Sequence, residues 1–89
     1  MKAVISVLGK DRVGIIARVS SYLAEQQVNI LDISQTILQD YFVMIMLVEP
    51  LAPDPDLPAL ARGLSAVGES LGVQINIQHE AVFTAMHRV

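Results

Sequence analysis

The chain has 89 residues, 53 % hydrophobic and 17 % charged, with six Lys and Arg against nine Asp and Glu for a formal net charge of -3. A domain this short buries roughly 60 to 65 % of its unfolded surface, so the apolar excess predicts self-association as a homodimer or higher homo-oligomer. The weak, acidic charge disfavours a nucleic-acid partner, the absence of cysteine removes disulfides, thiolate metal sites and thiol nucleophiles, and with no span-length apolar run or charged leader the expectation is a soluble cytoplasmic protein without membrane contact.

Residues 2–8, Lys2-Ala3-Val4-Ile5-Ser6-Val7-Leu8, are rich in β-branched side chains and stop at Gly9, which predicts an interior strand. Gly9-Lys10-Asp11-Arg12-Val13-Gly14 then reads as a turn that opens directly into a helix. Ile15, Ile16, Val19, Tyr22 and Leu23 recur at three- and four-residue intervals, the period of an amphipathic helix. Asn29 is expected where that helix ends, since Asn tolerates the left-handed conformation.

Ile30 to Leu38 and Tyr41 to Glu49 are β-rich runs separated by Gln39-Asp40, which predicts a hairpin. The second run is apolar on both faces and belongs in the middle of a sheet. Phe42, Met44, Met46 and Val48 are read as an extra apolar face of that strand, free for protein contacts. Pro50, Pro53, Pro55 and Pro58 mark a loop, Asp56 is placed to cap a second helix, and Leu57, Leu60, Ala61, Leu64, Val67 and Leu71 carry that helix to Gly72. Val73 to Gln78 alternates apolar with amide residues as a half-buried edge strand. His79 to Val89 places Val82, Phe83, Met86 and Val89 at helical spacing.

The order is βαββαβ. This predicts an α+β, ferredoxin-like fold: a four-stranded antiparallel sheet, two helices on one face, strands 1 and 3 central, and a short C-terminal helical extension. No nucleophile and base are placed for catalysis, so no catalytic residue and no enzyme activity are expected. His79 and His87 read as solvated or capping histidines rather than zinc ligands, and neither a metal nor a cofactor is expected.

The turn allows two readings. Gly9 and Gly14 can simply shape a strand-to-helix connection with Asp11 solvated. Alternatively, the unpaired N–H groups at the helix start suit a carboxylate, Gly14 lets a ligand approach the backbone, and Asp11 attracts an ammonium group. Together those two seats match a free amino acid. Asn29 cannot reach the turn of its own subunit in this layout, but in a two-fold dimer it can face the partner's turn.

The stretch Gly-Lys-Asp-Arg-Val-Gly-Ile-Ile-Ala-Arg-Val from Gly9, with Val28-Asn29-Ile30-Leu31-Asp32-Ile33 after the helix, resembles the opening of an ACT domain, a regulatory module that commonly binds amino acids. The tail, with its His-Glu-x-x-Phe-x-x-Met-His-Arg pattern, resembles that of small free-standing prokaryotic ACT proteins. The resemblance implies an ACT domain over residues 1–79, an extension over 80–89, dimerisation, and an effector at a subunit interface. Carried onto this chain it matches Gly14, Asp11 and Asn29 to positions that commonly flank the ligand. The candidate binding set is Gly9, Asp11, Val13, Gly14 and Ile15 with Asn29, Ile30 and Leu31. Val13 departs from the proline found in many ACT turns.

Two functions follow as expectations. One is a regulator that senses a small amino acid at a homodimer interface and modulates a partner enzyme or pathway. The other is a scaffolding subunit that meets an unidentified protein partner through its sheet face and C-terminal segment.

Overall fold

A computed structural model describes residues 1–86. Its elements are β1 (Ala3–Lys10), α1 (Ile15–Glu25), β2 (Val28–Leu38), β3 (Tyr41–Pro50), α2 (Leu57–Leu71), β4 (Val73–His79) and α3 (Glu80–Met86). The sheet runs β2-β3-β1-β4 with every neighbouring pair antiparallel. This is the ferredoxin-like arrangement expected from the element order, with β1 and β3 in the centre.

Side-chain period dictates where the core sits. On α1, Ile15, Val19 and Leu23 fall four residues apart and are buried, and on α2 the buried Leu60, Leu64, Val67 and Leu71 fall three or four apart. They close over Ala3, Ile5 and Val7 of β1 and over Met44, Met46 and Val48 of β3, which alternate on one face of the sheet. Asp56 caps α2 as its position predicted: its carboxylate accepts a hydrogen bond from the Ala59 N–H at 3.0 Å. Gly72 ends the helix in the left-handed conformation, φ 72°.

Three expectations are corrected. Phe42, Met44, Met46 and Val48 are not a spare face; they are buried beneath the helices, and the open face of β3 carries Tyr41, Val43, Ile45 and Leu47. A strand apolar on both sides gives no sign of which side meets the helices. The left-handed residue after α1 is Gln27, φ 57°, whereas Asn29 already lies in β2 opposite Glu49. β1 continues to Lys10, so the connection to α1 is the shorter Asp11–Gly14 segment.

β2 contains an irregularity. Ile30 pairs with Val48 and Asp32 with Leu47, leaving Leu31 as the extra residue of a bulge. Beyond it, Ile33, Gln35 and Ile37 pair with Met46, Met44 and Phe42 and therefore share the helix-bearing side with Val28 and Ile30.

α3 lies on the other side, against β4 and β1. Phe83 and Val4 border one hollow there with Ser6, Ile45 and Asn76. Around it the open face has an apolar centre, Val43, Ile45 and Leu47 beside Val4 and Leu8, between an Asp32-Ser34-Thr36 column on β2 and a Gln74-Asn76-Gln78 column on β4.

Candidate functional site

The Asp11–Gly14 connection is fastened on both sides. The Asp11 N–H donates to the Asp40 carbonyl at 3.0 Å, tying the connection to the β2–β3 turn, and Lys10 and Asp40 form an exposed ion pair at 3.6 Å. On the other side the Arg12 Nη1 donates to the Leu71 carbonyl at 2.9 Å. Lys10 and Arg12 thus each have one partner, and the guanidinium keeps further N–H groups beyond its bond to Leu71.

Gly14 stands at the N-cap of α1 with φ 93° and ψ 1°, and no side chain caps the helix there. A Cβ added at Gly14 would meet nothing within 4 Å, so glycine is required for the backbone angle and not for space. The Gly14 carbonyl accepts from the Arg18 N–H at 2.9 Å. The amides of the first helical turn have no side-chain cap and carry the positive end of the helix dipole.

Next to that helix end is a cleft of about 330 Å³. The connection contributes Asp11, Arg12 and Gly14, the first turn of α1 contributes Ile15, Ile16 and Ala17, and Gln35, Ile37 and Phe42 form the opposite wall. The site thus combines one carboxylate, an uncapped helix start and an apolar wall. That combination can take a small zwitterion: carboxylate toward the amides, ammonium toward Asp11, side chain toward Ile37 and Phe42.

Of the residues singled out in the sequence, Asp11, Gly14 and Ile15 line this cleft. Gly9 is inside β1, where a Cβ would come within 2.7 Å of the Val73 side chain, so its lack of a side chain serves the approach of β1 to β4. Val13 is 99 % exposed and points away from the lining. Asn29, Ile30 and Leu31 lie at the far end of β2. Asn29 is eight residues before Ile37, roughly 26 Å along an extended strand at about 3.3 Å per residue, so one protomer does not bring them together.

Gln35 and Ile37 carry no expectation from the sequence, and Phe42 is read there only as part of a face for protein contacts. The hairpin held the clue: counting outward from Gln39-Asp40 sets Ile37 against Phe42, and Phe42 pairs with Gly9 at the end of β1. Among the described residues no group of three or more His, Cys, Asp or Glu could hold a metal ion. His79 acts locally, its Nδ1 accepting from the Ala81 N–H at 3.0 Å, and His87 lies outside the described residues. No described helix is long and apolar enough to cross a membrane.

Comparison with known proteins bears on the family and the fold. The chain is 54 % identical over 89 residues to a UPF0237 protein of Clostridium acetobutylicum, covering 100 % of both. It superposes on an ACT domain protein from Streptococcus pneumoniae with a TM-score of 0.85, at 47 % identity and 98 % coverage of both chains. A formyltetrahydrofolate deformylase from Pseudomonas putida KT2440 shares the fold at 16 % identity and a TM-score of 0.78, over 88 % of this chain and 28 % of that one. The family model described as ACT domain matches residues 2–78. The chain belongs to the ACT domain family.

Proposed function

We propose that this protein is an effector-sensing regulator that binds a small amino acid in the cleft beside α1 and modulates a partner enzyme or pathway. The observation that carries the reading is the juxtaposition of an uncapped helix start, the Asp11 carboxylate and an apolar wall supplied by β2, a strand at the sheet edge. The helix amides and the further N–H groups of Arg12, which also lines the cleft, suit a carboxylate, and Asp11 favours a ligand that also carries an ammonium group.

The same edge supports a homodimer. β2 is 11 residues long, contains no Lys or Pro to blunt it, and leaves Leu31, Ile33, Ile37 and Leu38 between 40 % and 66 % exposed. Two copies paired antiparallel about Ile33 would set the partner's Asn29 opposite Ile37, beside the cleft. This completes the site in the way one protomer alone does not. The deformylase likeness supports this reading only at the level of fold, as an instance of the fold within a longer enzyme.

A screen of the twenty amino acids by thermal denaturation tests the proposal. At least one should raise the melting temperature of the parent, and Asp11→Asn should abolish that rise. A flat screen sinks the reading.

A second reading is favoured by the open sheet face, where Leu8 and Tyr41 are 49 % and 47 % exposed and Ile45 is 37 % exposed. Here the chain acts as an interaction subunit through that face and α3. Removing residues 80–89 should then weaken partner binding; assembly unchanged by the truncation would count against it.

A further inference from the structure

We infer that Arg12 is a positioning residue that locks the Asp11–Gly14 connection to the C-terminal end of α2, so that the cleft and the α2–β4 junction open and close as one unit. The inference rests on the effector reading for its consequence on binding, whereas the link itself needs no ligand.

The end of α2 lacks a cation of its own: no basic residue occurs in its last turn. The Gly72 N–H turns back to the Gly68 and Glu69 carbonyls, and the Ser70 hydroxyl donates to the Val67 carbonyl at 2.7 Å. The Leu71 carbonyl is one of the helix-end acceptors without an intrahelical donor. Arg12, 59 residues earlier in the chain, supplies both the hydrogen bond and the positive charge at the negative end of the helix dipole. The bond is partly buried. A Cβ at Gly72 would lie 3.7 Å from the same Nη1 atom, so the guanidinium sits against the left-handed cap itself.

A second contact runs parallel to the first. Gly9, two residues before Asp11, pairs with Val73 and has no room for a side chain against it. The α2–β4 junction is therefore held to the end of β1 by backbone packing and to the connection by one guanidinium. Beyond it Gly14, at φ 93°, turns the chain into α1. Arg12 is thus the side chain that ties the connection to the end of α2, beside the backbone pairing that ties β1 to β4.

Hydrogen exchange on the full chain separates this from an ordinary helix cap. Arg12→Ala should speed exchange of the amides of residues 11–16 and of the last turn of α2, on the order of tenfold for the loss of a hydrogen bond to a charged group. Arg12→Lys should fall between the two, keeping the charge and losing the fixed fork. The reciprocal arm uses Gly72→Ala, which strains the cap from the other end, with Gly72→Asn as the variant that tolerates the left-handed angle. Gly72→Ala should speed exchange at residues 11–16, Gly72→Asn should not, and the Gly72→Ala effect there should vanish when Arg12 is already Ala. Exchange at 11–16 that ignores Arg12→Ala, or that ignores Gly72→Ala, overturns the link. With any amino acid that stabilises the parent, Arg12→Ala should raise the concentration for half-maximal stabilisation several-fold. If none stabilises the parent, the effector reading fails and the exchange data alone decide the link.

Discussion

Gly14→Ala isolates the cost of one backbone angle. At φ 93° and ψ 1° the residue lies on the left-handed side of the map, and a Cβ there meets nothing within 4 Å. Packing therefore contributes nothing to the penalty, which reduces to placing an L-residue at positive φ, about 1–2 kcal/mol. A chain of 89 residues unfolds with an entropy of about 0.19 kcal/mol/K at ~2.1 cal/mol/K per residue, so the melting temperature should fall by roughly 5–11 °C. Gly14→Asn should fall less, since Asn enters this region more readily than Ala. Scanning calorimetry at one fixed protein concentration gives the answer, because self-association would otherwise move the midpoint. An unchanged midpoint for Gly14→Ala, or an equal loss for Asn and Ala, would refute the argument that conformation alone demands glycine here.

Three other substitutions probe the frame that holds the cleft. Asp56→Ala removes the cap of α2 and should cost about 1 kcal/mol, read as a fall of roughly 5 °C in the melting midpoint. Met46→Ala, at a position with no exposed surface, should cost about 2–5 kcal/mol in urea denaturation. Its neighbour Ile45→Ala, on the open face, should cost clearly less, and equal losses would mean that the two faces of β3 have been assigned the wrong way round.

Much of the fold was legible because its signals are periodic. The three- and four-residue spacing on α1 and α2, the amide alternation of β4, Asp56 before an apolar run and Gly72 after it each carry a local physical requirement that needs no partner to be read. The candidate site was legible in part for the same reason: Gly14 and Asp11 sit in an interruption between two periodic elements. What stayed hidden depends on contacts between distant segments. Nothing near Arg12 announces Leu71, and nothing near Gly9 announces Val73, the residue that forbids it a side chain. β3 hid its orientation because Tyr41 to Val48 is apolar on both sides. β2 did leave a trace, since Val28 and Ile30 occupy even positions while Ile33 and Ile37 occupy odd ones, a mismatch that only an extra residue reconciles.

That extra residue, Leu31, lets the length of β2 vary without disturbing the cleft. Deleting it would restore regular pairing while Ile33, Gln35 and Ile37 kept their partners Met46, Met44 and Phe42, so the wall facing α1 would stay as it is. What a shortening by one residue would change is the outer edge of the strand, where the local kink and added twist of the bulge would be lost. Chains of this fold that differ at this point by a single insertion or deletion would thus keep the same lining while presenting a differently shaped edge to a second copy.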